Sequence, residues 1–89
     1  MKHFVYLLIS FHKNKLISYV GYTNNVKKRL KLHNDSKGAK FTKGKKWRAI
    51  YKKKFKTKSD AMKYEYFLKR NQKKRKEIKE KFLNINKNK

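Results

Sequence analysis

Tyr6, Tyr19, Arg29, His33 and Glu65 are residue types that together could cut a phosphodiester. Glu65 is the only acid between Asp60 and Glu77, in a chain with 5 acidic and 29 basic residues. Hydrolysis of a phosphodiester needs a nucleophilic water, an acceptor for its proton, a cation on the scissile phosphate and stabilisation of the leaving oxygen. Magnesium suits a site with one or two carboxylates, because it keeps waters and takes its other ligands from substrate phosphate. Glu65 alone could therefore hold Mg2+ or Mn2+. Arg29 offers a fixed fork of donors that grips a phosphate through two hydrogen bonds. Tyrosine is a poor base at its ordinary pKa of roughly 10, but nearby cations favour the phenolate. Singly, each residue has a plainer reading. Tyr6 and Tyr19 could be strand aromatics, His33 a satisfied core histidine and Arg29 a solvated helix residue. Glu65 could simply pair with Lys69 one turn on. The joint pattern favours the site.

The order and spacing of these residues resemble the GIY-YIG endonuclease family. Phe4-Val5-Tyr6 stands for the first motif and Tyr19-Val20-Gly21 for the second. The likeness is strongest from Tyr19 to Asn24, continues through Arg29-Leu30 and His33-Asn34, and covers roughly residues 2 to 70. Phenylalanine replaces glycine in the first motif, valine replaces isoleucine in the second, and the interval from Tyr6 to Tyr19 is somewhat long. The resemblance implies a metal-dependent endonuclease acting on DNA. It makes Tyr6 the candidate general base and Tyr19 a positioner of water or phosphate. Arg29 would neutralise the phosphate, His33 support a tyrosine and Glu65 bind the metal. A non-catalytic DNA- or RNA-binding module that keeps the fold is the alternative. The five residues must then converge in one concave site, with Glu65 and Tyr6 on the same face of the sheet.

Positioning such a set requires strands and helices in a definite order. Residues 3 to 10 are apolar, β-branched and aromatic, and read as a strand; residues 16 to 22 read as a second. An even-length turn centred near Lys13 brings Tyr6 and Tyr19 to one face of the hairpin. Gly21 within a strand suggests close approach of another group. Thr23 and Asn24 can cap a helix from about Asn25 to Asn34, with Val26, Leu30 and His33 sharing a face. Asp35 to Lys46 reads as a basic surface loop. Trp47 to Phe55 reads as a third strand, with Trp47, Ala49, Tyr51 and Phe55 on one side. Thr57 to Asp60 opens a helix to about Asn71, with Ala61, Tyr64 and Leu68 inward and Glu65 at the stripe's edge. A basic helix follows over about Lys73 to Phe82. The fold class is α+β: a three-stranded antiparallel sheet flanked by helices, in the order β-β-α-β-α plus a C-terminal helix. The expected division is a nuclease-like domain over residues 1–83 and a basic disordered tail over 84–89.

With 89 residues and no cysteine, the chain has room for one small core, unsupported by disulfides or a cysteine-bound zinc. The apolar stretch up to Phe11 lacks a small-residue cleavage site and is too short to span a bilayer, so a cytoplasmic protein is expected. The formal net charge is +24. An A/T-rich coding bias explains abundant lysine but would also favour glutamate, which is scarce. A polyanionic partner is the better account, because each cation placed on a phosphate releases condensed counterions. DNA is the expected partner, with RNA open and a membrane disfavoured. A protein partner is not visible in the sequence. The basic runs supply candidate phosphate contacts: Lys43, Lys45, Lys46 and Arg48; Lys52, Lys53 and Lys54; and Lys73, Lys74 and Arg75. Trp47 offers a ring for base stacking, although as the residue opening a strand it reads first as core. There is no room for a separate targeting domain, so recognition should be of structure or backbone.

Overall fold

A computed structural model describes the backbone of residues 2–87 and the side chains of residues 2–84. β1 (His3–His12) and β2 (Lys15–Thr23) form an antiparallel hairpin. It closes through Lys13 and Asn14 alone, both left-handed, with φ of 52° and 65°. Two such residues in succession give a turn whose twist matches that of the paired strands. The two-residue closure fixes the register Tyr6↔Gly21 and Leu8↔Tyr19. Tyr6 and Tyr19 are therefore diagonal neighbours on one face, as the even turn requires.

β3 (Arg48–Phe55) pairs antiparallel with the other side of β1, giving the order β2-β1-β3. The central strand is buried continuously from Val5 to Ser10, because both faces of the sheet are covered. On one face α1 (Val26–Asn34) packs Val26 and Leu30 against Tyr6, Leu8, Tyr19 and Trp47. On the other, α2 (Lys58–Arg70) buries Ala61 and Leu68 against Val5, Leu7 and Val20. α3 (Gln72–Lys87) adds Ile78 to that second layer. Asn25 caps α1 by accepting the Lys28 amide at 3.1 Å, one residue later than Thr23-Asn24 suggested. Thr57 caps α2 through the Asp60 amide, also at 3.1 Å. These observations place the protein in the expected α+β class.

The third strand departs from simple alternation. Leu7 pairs with Tyr51 and Leu8 with Ala49, leaving Ile50 as an extra residue. This β-bulge reverses the side-chain parity partway along the strand. Trp47 and Ala49 join the Tyr6 layer, whereas Tyr51 and Phe55 join the Leu7 layer. The single-sided pattern read from the sequence is thus divided between two faces. The segment after α1 is also more than a surface loop. It contains a short 3-10 helix, Lys40–Thr42, whose Thr42 is fully buried. Finally, α3 continues to Lys87, so the expected tail from Asn84 is helical backbone for its first four residues. Residues 88 and 89 lie outside the described residues.

Candidate active site

Gly21 determines where the Tyr6 ring goes. A Cβ on Gly21 would lie 2.2 Å from the Tyr6 hydroxyl oxygen and 2.4 Å from the adjoining ring carbon. The missing side chain is therefore the space in which the phenol lies, carried from the central strand over the edge strand β2. There the hydroxyl meets His33 Nε2 at 2.9 Å. The other imidazole nitrogen, Nδ1, lies 2.8 Å from Thr42 Oγ1. Thr42 has one hydroxyl proton and donates it to the Ala39 carbonyl at 2.8 Å. Toward His33 the hydroxyl can then only accept, which puts the imidazole proton on Nδ1 and leaves Nε2 to accept from Tyr6. Gly38 packs so closely on the ring that a Cβ there would be 2.4 Å from Nδ1. The result is a buried, directional chain from phenol to imidazole to hydroxyl to backbone carbonyl.

Burial dominates the electrostatics of this chain. It raises the Tyr6 phenol to about 12, with Arg29 pulling the other way and the Tyr19 and Glu65 charges adding to the rise. It lowers His33 below the ordinary imidazole value, and the Arg29 charge lowers it further. At neutral pH both groups are therefore uncharged. Tyr19 completes an aromatic cluster. Its ring is 6.5 Å from Tyr6 and meets His33 edge-on at 5.1 Å. Phe41 lies nearly parallel to Tyr19 at 6.3 Å, and Trp47 supports the pair from behind.

Glu65 comes from an unexpected direction. Its helix covers the Leu7 face of the sheet, opposite the face from which Tyr6 emerges. The expectation that both lie on one face, on which the convergence of all five residues depended, is not met: the structure brings Tyr6, Tyr19 and His33 together and leaves Glu65 on the other side of the sheet. The Glu65 charge is the smallest of the influences on the Tyr6 phenol. A groove of about 270 Å³ lies at β2, an edge of the sheet, and is lined from both layers: Ser18, Tyr19, Val20 and Phe41 with Lys69 and Arg75. The Glu65 side chain is largely covered and pairs with Lys69 at 3.5 Å. That contact is the plain helix pairing open to it from the sequence.

The residues of the basic runs do not form one surface. Lys43, Lys46 and Lys73 are exposed, and Lys45 bonds the Phe41 carbonyl at 2.9 Å. Arg48 stacks over Phe82 at 5.1 Å. Lys52 lies over Phe4, whereas Lys53, one residue on, lies over Phe55 and Tyr64 on the other face. Lys54 is exposed beside Phe4 in the pairing register. Lys74 borders an apolar hollow beside Ile50 and Tyr51. Arg75 caps α2 by donating to the Leu68 and Lys69 carbonyls and lines the β2 groove. Trp47 is buried, its indole N–H donating to the Thr42 carbonyl at 3.0 Å, which excludes it from stacking on a base. Thr42 and Phe41 were not legible in the sequence, and Lys69 was expected there only as a partner of Glu65. Thr42 and Phe41 sit in a lysine-rich stretch with no periodicity, and nothing in the sequence marked them.

A family model described as the GIY-YIG catalytic domain matches residues 2–79. A UPF0213 protein of Bacillus licheniformis is 50% identical over 60 residues, which is 66% of this chain and 62% of that protein. The UPF0213 protein YazA of Bacillus subtilis is 48% identical over 61 residues, 67% of this chain and 62% of its own. For a UPF0213 protein of Oceanobacillus iheyensis the identity is 44% over 69 residues, covering 76% of this chain and 77% of that one. The chain thus spans less than two thirds of the length of the first two relatives. The solution NMR structure of a UPF0213 protein from Bacillus halodurans is 36% identical, with a TM-score of 0.47, over 86% of this chain and 80% of that one.

Proposed function

The chain belongs to the GIY-YIG catalytic-domain family, a nuclease-type family, and from that premise we propose that it is a divalent-metal-dependent endonuclease of DNA, guided by structure or backbone rather than sequence. The observation that carries this reading is the Tyr6–His33–Thr42 hydrogen-bond chain, with Arg29 beside the phenol. A core tyrosine needs a partner for its hydroxyl, but not an arginine beside it as well. No helix among the described residues is long and apolar enough to cross a membrane; the cytoplasm is the compartment this reading assigns.

The raised phenol decides how Tyr6 could act as a base. At neutral pH the free protein keeps the proton on the phenol. The Tyr6 oxygen takes a proton from the attacking water as its own proton passes to His33 Nε2. The water oxygen bonds to phosphorus and the bond to the leaving oxygen breaks. Thr42, accepting from Nδ1, holds the imidazole in the tautomer able to receive that proton. Arg29 places a fixed cation beside the phosphate, and Tyr19 positions the water or phosphate against the phenol.

The residues present fit a hard divalent cation. Glu65 would hold it, and among the described residues no three His, Cys, Asp or Glu side chains gather. Water and substrate phosphate would then supply the other ligands, which suits Mg2+ or Mn2+. When bound, the ion supplies positive charge to the phosphate and to the leaving oxygen.

The Lys69 contact to Glu65 is the observation that favours the other reading, a DNA- or RNA-binding module without catalysis. Nicking of supercoiled plasmid separates the two. Wild type should nick with magnesium or manganese and not with chelator. Glu65→Ala should lose cleavage while binding DNA as well or slightly more tightly, since it removes a negative charge from a basic surface. Arg29→Ala should be nearly as damaging to cleavage. Equal nicking by wild type and Glu65→Ala would overturn the metal assignment, and no nicking by wild type would favour the binding module.

A further inference from the structure

Phe41 is the exposed member of the aromatic cluster. It is 51% exposed, against 5% for Trp47 directly behind it. Its place is nevertheless fixed. It belongs to the 3-10 helix whose next residue, Thr42, is fully buried and bonded to both His33 and Trp47. One side of the ring lies near-parallel to Tyr19, with an interplanar angle of 18°. The Lys45 ammonium stands 5.2 Å from the ring centroid. In the same groove are two further cations, Lys69 and Arg75. A half-exposed aromatic ring that lines a groove together with cations matches the chemistry of a nucleotide: a flat base joined to a negative backbone.

We propose that Phe41 is a nucleobase-stacking residue, receiving the base of a nucleotide that adjoins the phosphate held at Tyr6 and Arg29. The proposal rests on the nuclease reading and names a second contact in the same site. Lys69, exchanging its exposed contact with Glu65 for a phosphate, and the charge of Arg75, whose guanidinium also bonds the end of α2, attract the backbone of that nucleotide in the same groove. Lys45, whose ammonium stands over the ring and bonds the Phe41 carbonyl, gives up the ring face to the base and turns to the flanking phosphate. The ligand is a base that has left its own stack, of any sequence, because every base offers a π-face. Phe41 also accounts for discrimination that phosphate contacts alone cannot give. Lysines bind every backbone alike, but only a nucleotide whose base can turn out fills this groove.

The test uses the full chain, a chelator to prevent cleavage, and two fluorescent oligonucleotides of equal length and charge. One carries bases throughout, including 2-aminopurine; the other carries abasic nucleotides over its central stretch. Wild type should bind the base-bearing strand more tightly, on the order of 10-fold for one stacked base, with quenching of 2-aminopurine. Phe41→Leu should erase both the preference and the quench while keeping its circular dichroism, and Phe41→Tyr should restore them. Equal binding of the two strands by wild type would overturn the proposal, whether or not Phe41→Leu folds. Persistence of the preference in a folded Phe41→Leu would overturn it as well. Plasmid nicking, measured alongside, separates the two ideas. Nicking without base preference removes the subsite and leaves the nuclease; base preference without nicking removes the nuclease and leaves the subsite.

Discussion

Tyr6 meets two demands that oppose each other. A base must give up its proton, yet burial raises this phenol to about 12. The proposed mechanism resolves the conflict by sending the proton to His33, which is hydrogen-bonded to the phenol. The pH dependence follows from this. Cleavage requires neutral His33, so kcat/KM should fall on the acid side as the imidazole protonates. Because burial and Arg29 hold His33 below its ordinary range, the fall should lie below the unperturbed value of about 6.5. Stability should follow the same direction. Where His33 stays neutral in the fold but takes a proton in the unfolded chain, the unfolded state binds more protons, and stability drops as pH falls below about 6.5. Tyr6 acts at the other end. Its folded-state value is raised, so its contribution is complete below about 10 and is lost as pH rises through about 12. An acid limb centred above 6.5, or one unchanged in Thr42→Val, would contradict the relay. The contact between His33 and a tyrosine was expected from the family resemblance, and the structure makes that contact with Tyr6. The sequence did not reveal Thr42, since a buried hydroxyl in a basic loop leaves no pattern of polarity to read.

Among the elements, the hairpin does the most to shape the site. Its two-residue turn sets the register, the register places Gly21 opposite Tyr6, and the bare Gly21 backbone lets the phenol cross to the sheet edge. The strand glycine was readable in the sequence, whereas turn parity was open there, since an odd-length turn or a bulge would have separated the tyrosines, and the two-residue turn decides it. The bulge at Ile50 was not readable, because an extra residue within an apolar strand leaves the composition unchanged and alters only which residues face which layer. The direction of Glu65 was hidden for a related reason: helical periodicity identifies an inward stripe but not which face of the sheet that stripe covers. Gly21→Ala tests the geometry. The added methyl collides with the hydroxyl end of a buried ring, so the ring must turn away from His33. Cleavage should fall at least a hundredfold, and overpacking should cost about 1–3 kcal/mol of stability. Gly44→Ala is the control for cleavage, since a Cβ there has nothing within 4 Å; its positive φ of 73° predicts a small stability loss without a defect in the site. Denaturant titration and nicking rates on both variants decide the matter. Near-wild-type cleavage by Gly21→Ala would mean that the Tyr6 hydroxyl position is not required.

A formal charge of +24 on 89 residues affects the whole molecule, independent of any one contact. The lysine runs look continuous in sequence, but the fold distributes them. Lys52 and Lys53 rest on opposite faces, Arg48 lies on Phe82 and Arg75 caps a helix. A polyanion therefore meets cations on several sides of the domain rather than one reading surface. No helix concentrates base-reading side chains, so the field should bind backbone and ignore sequence. Like charges so numerous also repel one another and weaken the compact state. Salt should thus have opposite effects on folding and on binding. Screening relieves the self-repulsion, and the thermal midpoint of the free protein should rise with ionic strength. The same salt restores the counterions that DNA binding releases, and affinity should fall. For duplex DNA log K drops by about 0.9 per neutralised phosphate for each unit of log salt; with on the order of five or more contacts the slope should be about −4.5 or steeper. Neutralising the exposed Lys43 and Lys46 as glutamines should remove up to about 0.9 from the slope apiece, equally for unrelated sequences. A flat salt response, or strong preference for one short sequence, would show that recognition does not rest on this field. A midpoint that falls with added salt would show that the fold already pairs its cations, which its three ion pairs among the described residues, each at i,i+4 spacing, do not suggest.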